Sequence, residues 1–324
     1  MMEGQAQHFM MLPELLQQIE QCARLALVEE VLTTPKPGLV DLHDRGAHRD
    51  MDWKLFVKSA DAISPYLGKM FVSGYNWELS LPLLFKSIRA IGTQAECAML
   101  KQTGGVNTHK GAIFTMGILM AAVGYSLRKN GGVDTACVFR YAKEMAAEAV
   151  ERDFAEMKER QKRFVRTKEA GRQTAGEYLY LNVGIEGIRG EARDGFPIIR
   201  EVAYPLMKQY SAEGMAQNER NINVLLAVME ELTDTNILSR SGYDLRVLEQ
   251  VKRTAGEILK LGGASTETGM EALRSWNLSC IHENLSPGGA ADILAATVFL
   301  IRVEKVLKEG GRFLCPLQSV IPPG

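Results

Sequence analysis

The run Leu15-Leu-Gln-Gln-Ile-Glu-Gln-Cys-Ala-Arg-Leu-Ala-Leu27 sets its apolar residues at Leu15, Leu16, Ile19, Cys22, Ala23, Ala26 and Leu27. Three-and-four spacing is the signature of a helix with one buried face. Windows of the same kind follow at 52–73, 77–101, 110–129 and 133–165, then at 197–211, 215–233, 243–261, 266–283 and 289–309. Short Gly, Pro, Asn or Asp punctuation separates them. Period-two segments that would read as strands are nearly absent, and the frequent Ala, Leu, Met, Glu, Lys and Arg favour helix on propensity alone. The reading is an all-α protein with a single globular multi-helix domain over 1–324.

Composition narrows the function. Of the 324 residues 46% are hydrophobic and 24% charged, and 38 Lys+Arg against 39 Asp+Glu leave a formal net charge of −1. That balance gives no overall pull toward nucleic acid or an anionic membrane, so no nucleic-acid partner is expected and any polyanion must meet a local basic cluster. Five cysteines (Cys22, Cys97, Cys137, Cys280, Cys315) form no CxxC pair, which fits neither a disulfide framework nor a cysteine zinc site. The start of the chain lacks the layout of a secretory signal, and a cytoplasmic location is expected. The stretch 111–127 is uncharged and flanked by Lys110 and Arg128. Its interruption by Gly117 and Gly124 and its shortness favour a buried core helix over a membrane span. From Glu151 to Arg172, thirteen of twenty-two residues are charged with both signs interspersed, as in a solvated helix end and loop.

Chemistry is expected where polar and glycine residues crowd helix junctions. The first such segment is Thr33-Thr-Pro-Lys-Pro-Gly-Leu-Val-Asp41, followed by Gly46-Ala-His-Arg-Asp-Met51; it carries Lys36, Asp41, His48 and Asp50. The second is Gly104-Gly-Val-Asn-Thr-His-Lys-Gly111, a glycine-rich turn feeding a helix start. Free N–H groups and the helix dipole there favour an anion, and Lys110 adds a charge, although Gly-Gly also suits a helix C-cap. The spacing is not that of a P-loop, and no GxG occurs anywhere, so neither nucleotide-binding signature is present. The third segment is Gly187-Ile-Arg-Gly-Glu-Ala-Arg-Asp-Gly-Phe-Pro197. The fourth joins Asp234-Thr-Asn236 to Asn284-Leu-Ser-Pro-Gly-Gly-Ala-Ala-Asp292. Taken singly, residues such as Asp234 and Asp292 are more often helix caps or solvated acids than metal ligands.

As a set, EVLTTPKPGLVD, GAHRDM, GVNTHKGAIF, GIRGEARDGFP, DTN and NLSPGGAADILAATVF resemble the triphosphoribosyl-dephospho-CoA synthase family, in order, from about residue 29 to residue 300. Residues 1–12 and 310–324 are extensions without a family motif. The resemblance implies an all-helical fold and transfer of the 5-triphosphoribosyl group of ATP to the 2′-hydroxyl of 3′-dephospho-CoA, with release of adenine. It also implies that the product passes to an acyl-carrier-protein prosthetic-group transferase serving citrate lyase or malonate decarboxylase.

Such a reaction develops oxocarbenium character at the ribose, so it calls for a nearby carboxylate, an acid for the departing base and a base for the acceptor hydroxyl. The retained triphosphate calls for Mg2+ and cationic side chains. On that footing Lys36, Lys110 and Arg189 are the phosphate-binding candidates, supported by Gly105, Asn107 and Gly111, with Lys36 and Lys110 expected around one polyphosphate. Asp41 and Asp50 are candidate catalytic carboxylates, His48 and His109 candidate acids, and Asp234 and Asp292 candidate magnesium ligands. A magnesium-dependent nucleotide N-glycohydrolase, or a non-catalytic nucleotide-binding helical subunit, would use similar residue types.

Overall fold

Helix α1 (Met2–Leu32) stops where Pro35 and Pro37 remove two backbone donors, and the chain then runs in irregular loop to Trp53. The computed structural model describes the backbone of residues 2–167 and 173–308, and the side chains of 13–163 and 173–308. Residues 168–172 of the charged stretch, and the tail 310–324 with Cys315, lie outside the described residues. Among the described residues there is no strand. The periodic windows appear as α2 (Trp53–Tyr75), α3 (Leu81–Thr103), α4 (Lys110–Asn130) and α5 (Thr135–Thr167) in the first half, with α6 (Ala175–Val183) and α7 (Gly187–Arg193) following. Then come α8 (Tyr204–Ala212), α9 (Gln217–Glu231), α10 (Thr235–Arg240), α11 (Leu245–Lys260), α12 (Glu267–His282) and α13 (Gly288–Lys308).

The window at 197–211 is not one helix: a π-helical turn, Ile198–Ala203, precedes α8. Pro205, in the first turn of α8, has no N–H to give the preceding turn, which accounts for the widened backbone there. Helices α6, α7 and α10, of nine, seven and six residues, are too short to show a period in the sequence.

Helix α4 is the central element. The apolar window within it is 72% buried inside the protein. Its glycines serve helix packing: a Cβ on Gly124 would lie 2.2 Å from the Phe71 carbonyl of α2, and one on Gly74 would lie 2.0 Å from the Ala121 carbonyl of α4. The two backbones therefore approach to a distance only glycine permits, and this crossing anchors a hydrophobic core that runs from Ile19 to Val306. Within α5, Phe154 and Met157 pack inward while Glu151, Arg152 and Glu156 face solvent, so the charged stretch begins as the outer face of a long helix.

Candidate active site

The four polar segments meet at one end of this core. A small satellite cluster of Val31, Val40 and Met51, with Val106 packed against it, joins the first segment to the second. His48 Nε2 lies 3.0 Å from Ser286 Oγ, and Arg240 donates to the Ala47 carbonyl, to Asn284 and to the His48 ring. Those bonds tie the first segment to the fourth. The loop is seated closely: a Cβ on Gly38, at φ +67°, would lie 2.0 Å from the Leu285 carbonyl, while the Gly38 N–H donates to Asn277 Oδ1. Gly187 at the start of α7 abuts Thr235 of α10, which brings the third segment beside the fourth.

Asp41 organises the first loop. Its Oδ2 accepts from the Thr34 hydroxyl and the Lys36 N–H, and its Oδ1 accepts from the N–H groups of His43 and Asp44. All four acceptor positions of this fully buried carboxylate are thus engaged by its own loop. Asp234 is committed in the same way: Oδ1 accepts from Asn236 and Ile237 at the start of α10, and Oδ2 from Ala290 at the start of α13. One carboxylate therefore caps two helices. Asp50 is exposed, 3.9 Å from His48 Nδ1. Burial and the neighbouring Arg240 push the His48 pKa down, so its ring is neutral at pH 7.

At the start of α4 the structure answers the question of the anion. Asp292 of α13 reaches Gly111 and accepts the Ala112 N–H, so a carboxylate of the protein sits where the helix dipole favours negative charge. Burial, with Glu30 and Asp234 nearby, nonetheless holds the Asp292 carboxyl well above the usual range. Glu30 is raised by burial too, although Lys36 opposes the shift. The Lys36 ammonium is sealed from solvent and bonded to the Glu30 side chain and, at 2.7 Å, to the Glu30 carbonyl. Lys110 lies on the surface, 3.0 Å from Glu96 of α3. The expected pairing of Lys36 and Lys110 around one polyphosphate is therefore not found, because Lys36 is drawn inward to neutralise Glu30.

Gly104 is the left-handed C-cap of α3, and Gly105, at φ +94°, has no atom within 4 Å of where a Cβ would stand. The turn is open on that side. Asn107 accepts the Lys110 N–H and so starts α4, whereas Arg189 is half-buried with no hydrogen bond or ion pair among the described residues.

His109 is the N-cap residue of α4 and is only 3% exposed. The Thr108 hydroxyl donates to Ser59 Oγ at 2.6 Å, and Ser59 Oγ lies 2.7 Å from His109 Nδ1. Ser59 Oγ keeps a second lone pair beside its own proton, so this contact forms with the ring proton on either Nδ1 or Nε2. That Nε2 is buried without a partner. Burial and the Lys36 charge press the imidazole pKa down to about 3, so His109 is neutral at pH 7 and stores no proton for release.

Sequence reasoning missed Glu30, Ser59 and Arg240. Glu30 opens the quoted EVLTTPKPGLVD but, as the last polar residue of a helical run, offered no role by itself, and neither Ser59 nor Arg240 belongs to a recognisable motif; only spatial neighbours give them meaning.

Buried Glu30, Lys36 and His109 and the half-buried Asp292 gather at the start of α4 in an all-helical protein. The chain belongs to the ATP:dephospho-CoA triphosphoribosyl transferase family, whose model matches residues 16–310. It is 39% identical over 276 residues to a probable 2-(5″-triphosphoribosyl)-3′-dephosphocoenzyme-A synthase of Lactiplantibacillus plantarum, covering 85% of this chain and 93% of the relative. The 2-(5″-triphosphoribosyl)-3′-dephosphocoenzyme-A synthase of Escherichia fergusonii is 36% identical over 281 residues, 86% and 89% of the two chains. Protein CitXG of Leuconostoc mesenteroides subsp. cremoris is 34% identical over 296 residues, 91% of this chain and 61% of the relative. No solved structure matches.

Proposed function

We propose that the protein transfers the 5-triphosphoribosyl group of ATP to the 2′-hydroxyl of 3′-dephospho-CoA in the cytoplasm. The bond from ribose C1′ to adenine breaks, a bond from C1′ to the acceptor oxygen forms, and the hydroxyl proton ends on adenine. The observation that carries this reading is the meeting of Asp292, Glu30, Lys36 and His109 at the start of α4, in a chain whose family shares that activity.

Asp292 accepts one backbone N–H, from Ala112, and is not held by a lysine as Glu30 is; it is the group we assign to the developing positive charge at C1′. Asp41 and Asp234 hold the two loops that frame it. The His109 Nε2–H faces an acceptor of the substrate. Lys110 and Arg189, whose heads are not sealed inside, are assigned to the triphosphate together with Gly105 and Asn107, since Asp292 takes the space at Gly111.

Among the described residues no group of three or more His, Cys, Asp or Glu side chains is arranged to hold a metal ion. The donor set fits Mg2+ that arrives with the nucleotide: the ion would be satisfied by phosphate oxygens, water and one carboxylate, which Asp292 supplies, Glu30 being held by Lys36. Bound there, the ion would neutralise charge on the triphosphate.

The test is product analysis. Purified protein with ATP, 3′-dephospho-CoA and Mg2+ should release free adenine and form a triphosphoribosylated acceptor in equal amounts. Adenine released equally without the acceptor would make the protein a glycohydrolase, and a folded protein that releases none would end the proposal. The product is of the kind consumed by an acyl-carrier-protein prosthetic-group transferase.

A further inference from the structure

A second concavity, of about 770 Å3, opens between α1, α8, α9 and the end of α13, on the far side of Glu29 from the buried centre. Its wall follows α1 from Glu14 to Glu29, a path of about 22 Å at the helical rise. Of the sequence motifs, NLSPGGAADILAATVF alone reaches it, through Val298 near its end.

The cleft changes character along its length. At the inner end Arg220 and Arg302 converge on Glu29: Arg302 binds Oε2 with two nitrogens, and Arg220 Nη2 stands 3.8 Å from Oε1. Beyond them the wall alternates apolar groups such as Leu25 and Ile301 with the amides of Gln17 and Gln21. The remaining charges facing the space are Lys305 and the Glu14 carboxylate at the outer end, so cations outnumber anions. Two donors, Arg220 Nε and Gln21 Nε2, are buried with no acceptor. Orphan donors in a cavity of net positive charge call for a ligand that accepts hydrogen bonds and carries negative charge.

The inner end adjoins the buried centre through the chain itself. Glu29 precedes Glu30, Asn221 donates to both Glu29 and Thr33, and Asn218 exchanges two hydrogen bonds with the Thr34 backbone.

We propose that the cleft is the acceptor channel. The diphosphate of 3′-dephospho-CoA lies against Arg220 and Arg302, and its pantetheine arm runs outward along α1. The arm matches the wall in chemistry: its amides and hydroxyl meet the glutamine amides, and its dimethyl group and methylenes meet Leu25 and Ile301. The assignment rests on the transferase reading, and it gives the enzyme a means to recognise an acceptor by its tail while acting at its ribose.

Calorimetric titration of the full chain with 3′-dephospho-CoA, ADP and ATP tests it, ADP being the acceptor without its pantetheine arm. Ile301→Trp, which fills the outer cleft, should weaken dephospho-CoA at least tenfold and leave ADP within twofold of wild type. Arg220→Gln should weaken both. Ile301→Ser, which empties the wall, serves as the second variant should the tryptophan disturb folding, and is expected to weaken dephospho-CoA several-fold. Wild-type affinity for dephospho-CoA in folded variants overturns the channel and leaves the transferase reading intact. A wild-type chain that does not bind dephospho-CoA at all overturns both.

Discussion

The Asp292 carboxylate occupies the space in which a side chain at residue 111 would begin: a Cβ built on Gly111 lies 1.9 Å from Asp292 Oδ2. A glycine in a helix start is usually explained by backbone freedom, yet here the requirement is room for another residue's charge. Gly111→Ala should push Asp292 off the Ala112 N–H. Overpacking of this sort costs about 1–3 kcal/mol. Adenine release should fall at least tenfold while circular dichroism still shows a folded helical protein; an alanine variant with full activity would mean that Asp292 can move without consequence.

Asp292 also sets a trade between stability and function. Its pKa is raised, so the folded state holds the proton at pH values where the unfolded chain has lost it, and ionising the buried group costs stability as pH rises above the ordinary carboxylate range. Asp292→Asn keeps an acceptor for Ala112 and removes that cost. Urea unfolding should find the variant more stable than wild type at pH 7, with the gain shrinking toward pH 4. Adenine release should be lost at both. Equal stability at pH 7 would show that Asp292 carries no desolvation penalty in solution.

The fold was legible because most helices are long and bury one stripe, and periodicity reports both properties; α6, α7 and α10 escaped because each spans fewer than three turns. The site was legible as a set of segments and not as a set of roles. Asp41 looks like a catalytic carboxylate and Asp234 like a magnesium ligand in sequence, but backbone N–H groups surround both, and those donors have no side-chain signature. Lys36 looks like a phosphate ligand until Glu30, six residues earlier and on a helix, is seen to bind it. The Arg220 and Arg302 cleft was invisible because its walls are ordinary amphipathic helices 82 positions apart in the chain.

The Lys36–Glu30 pair should behave as a unit. Removing one partner of a buried pair strands the other charge and costs about 3–5 kcal/mol, whereas replacing both with neutral groups costs far less. Lys36→Met should therefore be severely destabilised, and Lys36→Met/Glu30→Gln should recover most of the loss in chemical denaturation. Additive losses in the double variant would mean that each residue acts alone.

His109 yields the most specific expectation, because its proposed role needs one of the two neutral tautomers. With Ser59 donating to Nδ1, the ring would present Nε2–H, and a glutamine amide can present an N–H at about the same place. His109→Gln should retain substantially more adenine release than His109→Ala, and Ser59→Ala, which frees the tautomer, should lower turnover without altering the shape of the pH profile. The depressed pKa fixes the sign of the linked stability change. The unfolded chain takes up a proton near pH 6.5 and the folded ring only at about 3, so stability at this residue is intact above 6.5 and is lost as pH falls through that window. The slope approaches about 1.4 kcal/mol per pH unit for one proton. Wild type should lose stability relative to His109→Gln as pH drops from 7 to 4, and the His109 15N resonances should report a neutral Nε2–H ring throughout. A ring that titrates near pH 6.5, or a glutamine variant no better than alanine, would remove His109 from the role of neutral donor.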